Sequence, residues 1–328
     1  MKRVFFGALA CLGMWCASPA LAEPFPTRAI TLIVPYGAGG PLDTLARIVS
    51  ERMRLSLGQP VVIENITGAS GSIGVGRAVR SDPDGYTVSI GNWATHVVNG
   101  ATFTLPYDLR HDLAPVALLS SNPYVAVARN GLPAKNLQEL IALLKANPGT
   151  VTLGTGGPGS GQHISGVYFQ SATGTALRFV PYRAGSSDIM KDLVGGHIDL
   201  TFDQAISALS YVRNGQMKAY AVTAATRLAA APDIPTVDEA GARGVYISAW
   251  SGLWVPKATP ESVIETLSRA AMDALASDDV RRRLEDLGQM IPPPDRQTAA
   301  ALGAFHKAEI EKWWPIIKAA NIAAEPGR

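Results

Sequence analysis

The chain has 328 residues, with 29 Lys and Arg against 27 Asp and Glu. That length suffices for two domains with sizeable cores, and a formal charge of +2 gives no basis for a nucleic-acid or acidic-membrane partner. The 47% hydrophobic and 7% aromatic content fits a globular α/β protein.

Lys2 and Arg3 precede an apolar run from Val4 to Trp15, and Ala20-Leu21-Ala22 ends just before Glu23. This pattern predicts a secretory signal peptide over residues 1–22, cleaved after Ala22, because the run is too short to span a bilayer. Taking 22 residues from 328 leaves a mature chain of 306, with 27 basic and 27 acidic side chains. Cys11 and Cys16 leave with the signal, so the mature protein is expected to hold no disulfide, thiolate nucleophile or Cys ligand. Ala8-Leu9-Ala10-Cys11 is a poor lipoprotein box, and no lipid anchor is expected.

The mature chain alternates apolar strands with amphipathic helices. Ile30–Val34 reads as a strand, Thr44–Leu57 as a helix stopped by Gly58, Val61–Ile66 as a strand, Ser72–Arg80 as a helix, and Tyr86–Ile90 as a third strand. Asp82-Pro83-Asp84-Gly85 is a turn. Two crossovers in series predict half of a doubly wound parallel sheet. The theme recurs with strands at 124–128, 151–154, 178–181, 198–202 and 218–223, separated by helices. Ala249–Pro256 reads as a return crossing, and Pro260–Ala276, Asp279–Leu287 and Arg296–Ala320 as helices. The helical tail has no strands of its own and must pack on a folded unit. Two α/β lobes are therefore expected: residues 23–121 with 248–328, and an inserted lobe at 122–247. The chain would cross between them near Asn122-Pro123 and near Ser248–Ser251.

Two loops carry the chemistry. Pro35-Tyr36-Gly37-Ala38-Gly39-Gly40-Pro41-Leu42-Asp43 joins a strand to a helix, and so does Gly154-Thr155-Gly156-Gly157-Pro158-Gly159-Ser160-Gly161-Gln162-His163. Glycines in such loops let successive amides point into a concavity, and the helix end adds about half a positive charge. Both lie at the carboxyl ends of strands, the edge at which open α/β sheets bind ligands. Together they suit a small anion held between two lobes. For the first loop alone, a tight turn with a helix cap at Asp43 is the plainer reading.

Other motifs fail when spelled out. Neither loop ends in Gly-Lys-Ser/Thr, and Leu42 stands where a dinucleotide fingerprint needs its third Gly or Ala. Ser160 is not in a nucleophile elbow. His96, His111, His163, His197 and His306 are scattered, without metal-ligand spacing. Ser160 and His163, one turn apart, are read as a helix cap and a packed ring rather than a nucleophile and its base. No cofactor or metal is expected, and no catalytic residue.

At this point the residues resemble a known family. Ile33-Val34-Pro35-Tyr36-Gly37-Ala38-Gly39-Gly40 with Asp43 and Ala46-Arg47 is similar to the opening motif of Bug receptors, the periplasmic binding proteins of tripartite tricarboxylate transporters. The similarity continues through Leu57–Asn65, Gly71-Ser72-Ile73-Gly74, Pro83–Thr87, Gly159–His163, Val180-Pro181-Tyr182, Gly195–Asp199, Phe202-Asp203 and Trp254-Val255-Pro256. It covers nearly the whole mature chain.

The resemblance implies a periplasmic-binding-protein fold, two lobes joined by a double-crossing hinge. It also implies a receptor, not an enzyme, that captures a small carboxylate and hands it to membrane permease subunits. That carboxylate is a mono-, di- or tricarboxylate or an aromatic acid, and the receptor is expected to act as a monomer. The ligand would meet Tyr36, Gly39, Gly40 and Asp43 in the first lobe and Thr155, Ser160, His163, Tyr182 and Asp203 in the second. Gly91-Asn92-Trp93-Ala94-Thr95 falls where the family has another cleft-lining loop. Two departures stand out: Gly37-Ala38 replaces the usual Ala/Pro-Pro step, and Trp93 is bulky for its place, narrowing the pocket or offering a stacking face. Asp203 has two readings, a partner for a ligand amine or, preferred, a cap for the following helix. A ligand-presenting co-receptor for a sensor kinase would use the same site, while a secreted α/β hydrolase would need the elbow and triad that are missing.

Overall fold

The computed structural model describes residues 25–182 and 186–322. The expected signal peptide and its cleavage after Ala22 lie outside the described residues.

The first unit is built as β1 (Ile30–Val34), α1 (Pro41–Leu57), β2 (Val61–Asn65), α2 (Ser72–Val79) and β3 (Thr87–Asn92), with β2 and β3 both parallel to β1. Pro41 opens α1 at the one position where its missing N–H costs nothing. Gly58 closes the helix with φ 66°, a conformation that glycine adopts without penalty. Leu42, Leu45, Ile48, Val49 and Met53 repeat at helical spacing and are all buried against Ile30, Leu32 and Val34 of β1. Truncating one of them, Leu45→Ala, would cost about 3 kcal/mol.

After β3 a π-helical turn (Ala94–Val98) runs into the short α3 (Asn99–Thr102). The chain then enters β4 (Leu113–Arg129), a buried strand of 17 residues. The sequence marks only its second half, 124–128, as strand. In the fold its first half pairs antiparallel with β9 (Ser248–Pro256), which also pairs antiparallel with β3. Its second half pairs antiparallel with β7 (Leu200–Gln204) and β8 (Met217–Val222). A single strand thus serves both halves of a nine-stranded sheet ordered β2-β1-β3-β9-β4-β7-β5-β6, with β8 also on β4.

The second unit holds α4 (Leu137–Ala146), β5 (Thr152–Thr155), α5 (Gly161–Thr173), β6 (Arg178–Pro181), α6 (Ser186–Gly195) and α7 (Ala205–Arg213). Here β6 and β7 run parallel to β5. Asn122 and Pro123 face Ala249 and Ser248 where the chain passes between the units. Met290 joins them, exchanging both backbone hydrogen bonds with Ser121 at 2.8 Å.

The tail packs on the first unit. α8 (Glu261–Ala276) and α9 (Asp278–Asp286) lie against α1, and their Leu267, Ala271, Leu275 and Leu284 join its core. One expected helix over 296–320 is two: α10 (Pro294–Gln297) and α11 (Ala299–Ala319). Thr298 separates them and caps α11, its Oγ1 accepting from the Ala301 amide. α11 packs on β4 and α3, and also reaches the second unit, where Trp313 meets Tyr168 of α5 edge to face at 5.1 Å.

Candidate ligand-binding site

The loop between β1 and α1 exposes Gly37, Ala38 and Gly39. Gly39 has φ 79°, so a side chain there would strain the turn. Asp43, in the first turn of α1, reaches back into the loop. Its Oδ2 accepts from the Gly39 amide and from Arg47 Nε, both at 2.8 Å. Its Oδ1 accepts from Arg47 Nη2 at 3.0 Å and Asn65 Nδ2 at 2.9 Å. The Arg47 bonds, aided by the Gly39 amide and Asn65 against the opposing effect of burial, hold its pKa down to about 2. Asp43 is therefore an internal anion with both oxygens committed to the loop, and it is not the helix cap, a position held by Gly40.

Tyr36 is half-buried. Its carbonyl accepts from Asn65 at 2.9 Å, and burial pushes its phenol up to about 12 despite a hydrogen bond with Asn92. Trp93 is not on the cleft surface: it is 2% exposed and packs edge to face on Trp313 at 5.1 Å. Asn92 and Ala94 are the half-exposed residues of that stretch. Behind them, His96 stacks on Trp254 at 3.9 Å and fills the space in which a Cβ on Gly91 would sit, 1.9 Å from its ring.

The second loop joins β5 to α5. Ser160 is the N-cap of α5, its Oγ accepting from the His163 amide at 3.2 Å. His163 Nδ1 accepts from the Gly159 amide at 3.3 Å, and its ring lies edge to face on Phe179 at 4.8 Å. Burial lowers its pKa, so the ring is neutral with the proton on Nε2. The hydroxyl and the imidazole are thus bonded to backbone rather than to each other. Thr155 is buried; its carbonyl accepts from the Tyr182 amide at 2.7 Å and its Oγ1 from the Gly157 amide at 3.4 Å. The Tyr182 hydroxyl points to Asp192 at 2.6 Å.

Asp203, at the end of β7, is 1% exposed. Its Oδ1 takes the Gln204 amide at 2.7 Å and its Oδ2 the Gln162 side chain at 3.4 Å, with the Ser186 hydroxyl also bonded to it. Burial raises its pKa. The expected helix cap is corrected here: Gln204 occupies the N-cap of α7 and makes no side-chain cap bond, while Asp203 lies one residue earlier.

The fold thus gathers Thr155, Ser160 and His163 in one loop, joined through Gln162 to Asp203. Gly39, Gly40 and Tyr36 belong to the other loop, and Tyr36 comes within electrostatic reach of Tyr124 in the second half of β4. The sequence does not mark Arg47, Asn65, Gln162, Ser186 or Tyr124 as site residues. For Arg47 a signal existed, since an Asp and an Arg four apart on a helix pair. Chemically, the site offers helix N-termini and amides for an anion. No group of three metal-ligating side chains occurs among the described residues, and no helix there is long and apolar enough to cross a membrane.

The profile described as tripartite tricarboxylate transporter family receptor matches residues 45–322. Protein BugT of Bordetella pertussis is 32% identical over 319 residues, covering 94% of this chain and 96% of its own. MatC of Rhodopseudomonas palustris, solved with bound malate, is 35% identical with a TM-score of 0.73, over 89% of this chain and all of that one. A second R. palustris protein, solved with adipate, is 30% identical with a TM-score of 0.74, over 91% of this chain and 99% of that one.

Proposed function

This chain belongs to the tripartite tricarboxylate transporter receptor family, and from that premise we propose that it captures a small carboxylate between two lobes and delivers it to membrane permease subunits. One observation carries this reading. Two glycine-rich loops each lead into the N-terminus of a long helix, one in each half of a sheet joined through β4 and β9, an arrangement that suits two loops closing on one small anion.

The lobes are residues 23–121 with 248–328, and 122–247. Their double crossing is a hinge, supported by the paired Asn122–Ala249 and Pro123–Ser248 positions. The protein works in the periplasm as a monomer after cleavage behind Ala22. Gly39, Gly40, Tyr36, Thr155, Ser160, His163 and Asp203 surround the ligand. Asp43 serves it by shaping the first loop, Trp93 by backing the wall and Tyr182 by fixing the second loop through Thr155. Helix-end donors without Lys or Arg in the loops suit a carboxylate better than phosphate, which recruits cationic side chains. The malate and adipate seen in the two R. palustris proteins set the size range.

A thermal-shift panel tests this. Set beside sugars and polyamines, the acids malate, adipate, succinate, citrate and benzoate should include one that raises Tm by roughly 5 °C at a hundredfold excess over Kd, from about 2.7 kcal/mol of binding linkage. Shifts confined to sugars or polyamines would overturn the reading.

A further inference from the structure

Tyr124 follows Pro123 directly in β4 and belongs to none of the motifs that the sequence marks. It is 4% exposed. Its hydroxyl occupies the space a Cβ on Gly161 would take, since that atom would lie 1.9 Å from Tyr124 Oη. Gly161 is the first residue of α5, so the phenol presses against the N-terminal turn of that helix.

Two side chains stand behind it. Asn122 Nδ2 donates to Gln204 Oε1 at 3.0 Å, and the Gln204 side chain lies beside the Tyr124 phenol. Among the described residues no acceptor lies in hydrogen-bonding geometry to the Tyr124 hydroxyl, so its hydrogen can turn toward the first turn of α5. Burial and the nearby Asp203 carboxylate raise the phenol well above its ordinary range, as does Tyr36 to a lesser degree, so it stays protonated. Asn122 and Gln204 thus back the phenol from β4 and β7, and its hydroxyl abuts the first turn of α5.

We propose that Tyr124 is a ligand-contacting residue of this cleft: its hydroxyl donates to a carboxylate seated at the N-terminus of α5, with Asn122 and Gln204 positioning it from the hinge strand. This deepens the carboxylate reading and rests on it. Capture would then engage β4 itself through Asn122, which is in register with Ala249 across the hinge.

The test is calorimetric titration with malate, succinate and adipate of wild type, Tyr124→Phe, Gln204→Leu and the double variant. Tyr124→Phe should weaken the best-bound acid about tenfold to a hundredfold, as expected for a lost bond to a charged acceptor, while the unliganded Tm stays within a degree or two. Binding to wild type should perturb the near-ultraviolet tyrosine absorption, and that difference band should shrink in Tyr124→Phe. Gln204→Leu should weaken binding severalfold in wild type and scarcely at all in the Tyr124→Phe background. Unchanged affinity in Tyr124→Phe, or a loss matched by a fall in unliganded Tm with the difference band intact, overturns the proposal and leaves the carboxylate reading standing. Absence of binding by wild type to these three acids and also to citrate and benzoate overturns both.

Discussion

The two glycine-rich loops share a plan, strand then glycines then helix, yet they satisfy themselves differently. The first closes around a full charge: the Asp43 carboxylate binds the Gly39 amide at 2.8 Å and is neutralised by Arg47. The second closes around neutral groups at longer range, with Ser160 Oγ on the His163 amide at 3.2 Å and His163 Nδ1 on the Gly159 amide at 3.3 Å. Charge-assisted bonds are shorter and about twice as strong as neutral ones. The first loop is accordingly a preset wall and the second the more adaptable one. The lesson is that glycines do not count free donors; the amides already taken by side chains must be subtracted first.

The sharpest way to break this contrast is Asp43→Ala. It removes the one acceptor shared by the Gly39 amide, the Asn65 amide and the Arg47 guanidinium, and should cost about 2 kcal/mol in urea unfolding, with loss of carboxylate binding. A cost under 1 kcal/mol would mean the first loop is not organised by its internal anion. The counterpart, Ser160→Ala, removes one helix cap and should cost about 1 kcal/mol, with binding weakened only severalfold. If Ser160→Ala proves the costlier of the two, the ranking of the loops is reversed.

Acid should separate the loops next. Asp43 has a folded pKa of about 2, below its ordinary 3.8, so its contribution is complete above pH 3.8 and lost as pH falls toward 2. His163 is depressed below 6.5, so its contribution is present above pH 6.5 and lost as pH falls through its folded value. Protonation also turns Nδ1 from acceptor to donor and breaks the Gly159 bond. Amide exchange followed downward from pH 7 and corrected for intrinsic rates should show protection lost at Gly159 while it still holds at Gly39. Equal changes at both would contradict the contrast.

Much of this was legible in the sequence because punctuation is local. Gly58 ends α1, Ser160 caps α5, and the two loops announce themselves by composition. What escaped depends on partners distant in the chain. Asn122-Pro123 reads as a break, yet β4 runs straight through it. The missing N–H of Pro123 falls where pairing passes from β9 to β7 and β8, a place where a proline costs little. Trp93 reads as a cleft residue until Trp313, from the last helix, covers it. Asp203 reads as a helix cap by its position in sequence, but the helix begins one residue too late for it. Tyr124 carries no sequence signal, since only the fold brings Gly161 onto its hydroxyl.

The central claim is that both loops grip the same carboxylate, and a matched pair of substitutions reaches it most directly. Gly39 and Gly159 sit at φ 79° and 80°, and a Cβ would meet nothing within 4 Å at Gly39 and only Ile322 at 3.8 Å at Gly159. Gly39→Val and Gly159→Val therefore strain each loop through its backbone rather than by collision. Calorimetric titration of the best-bound acid should show each variant alone at least tenfold weaker than wild type. Wild-type affinity in either one would contradict a shared grip.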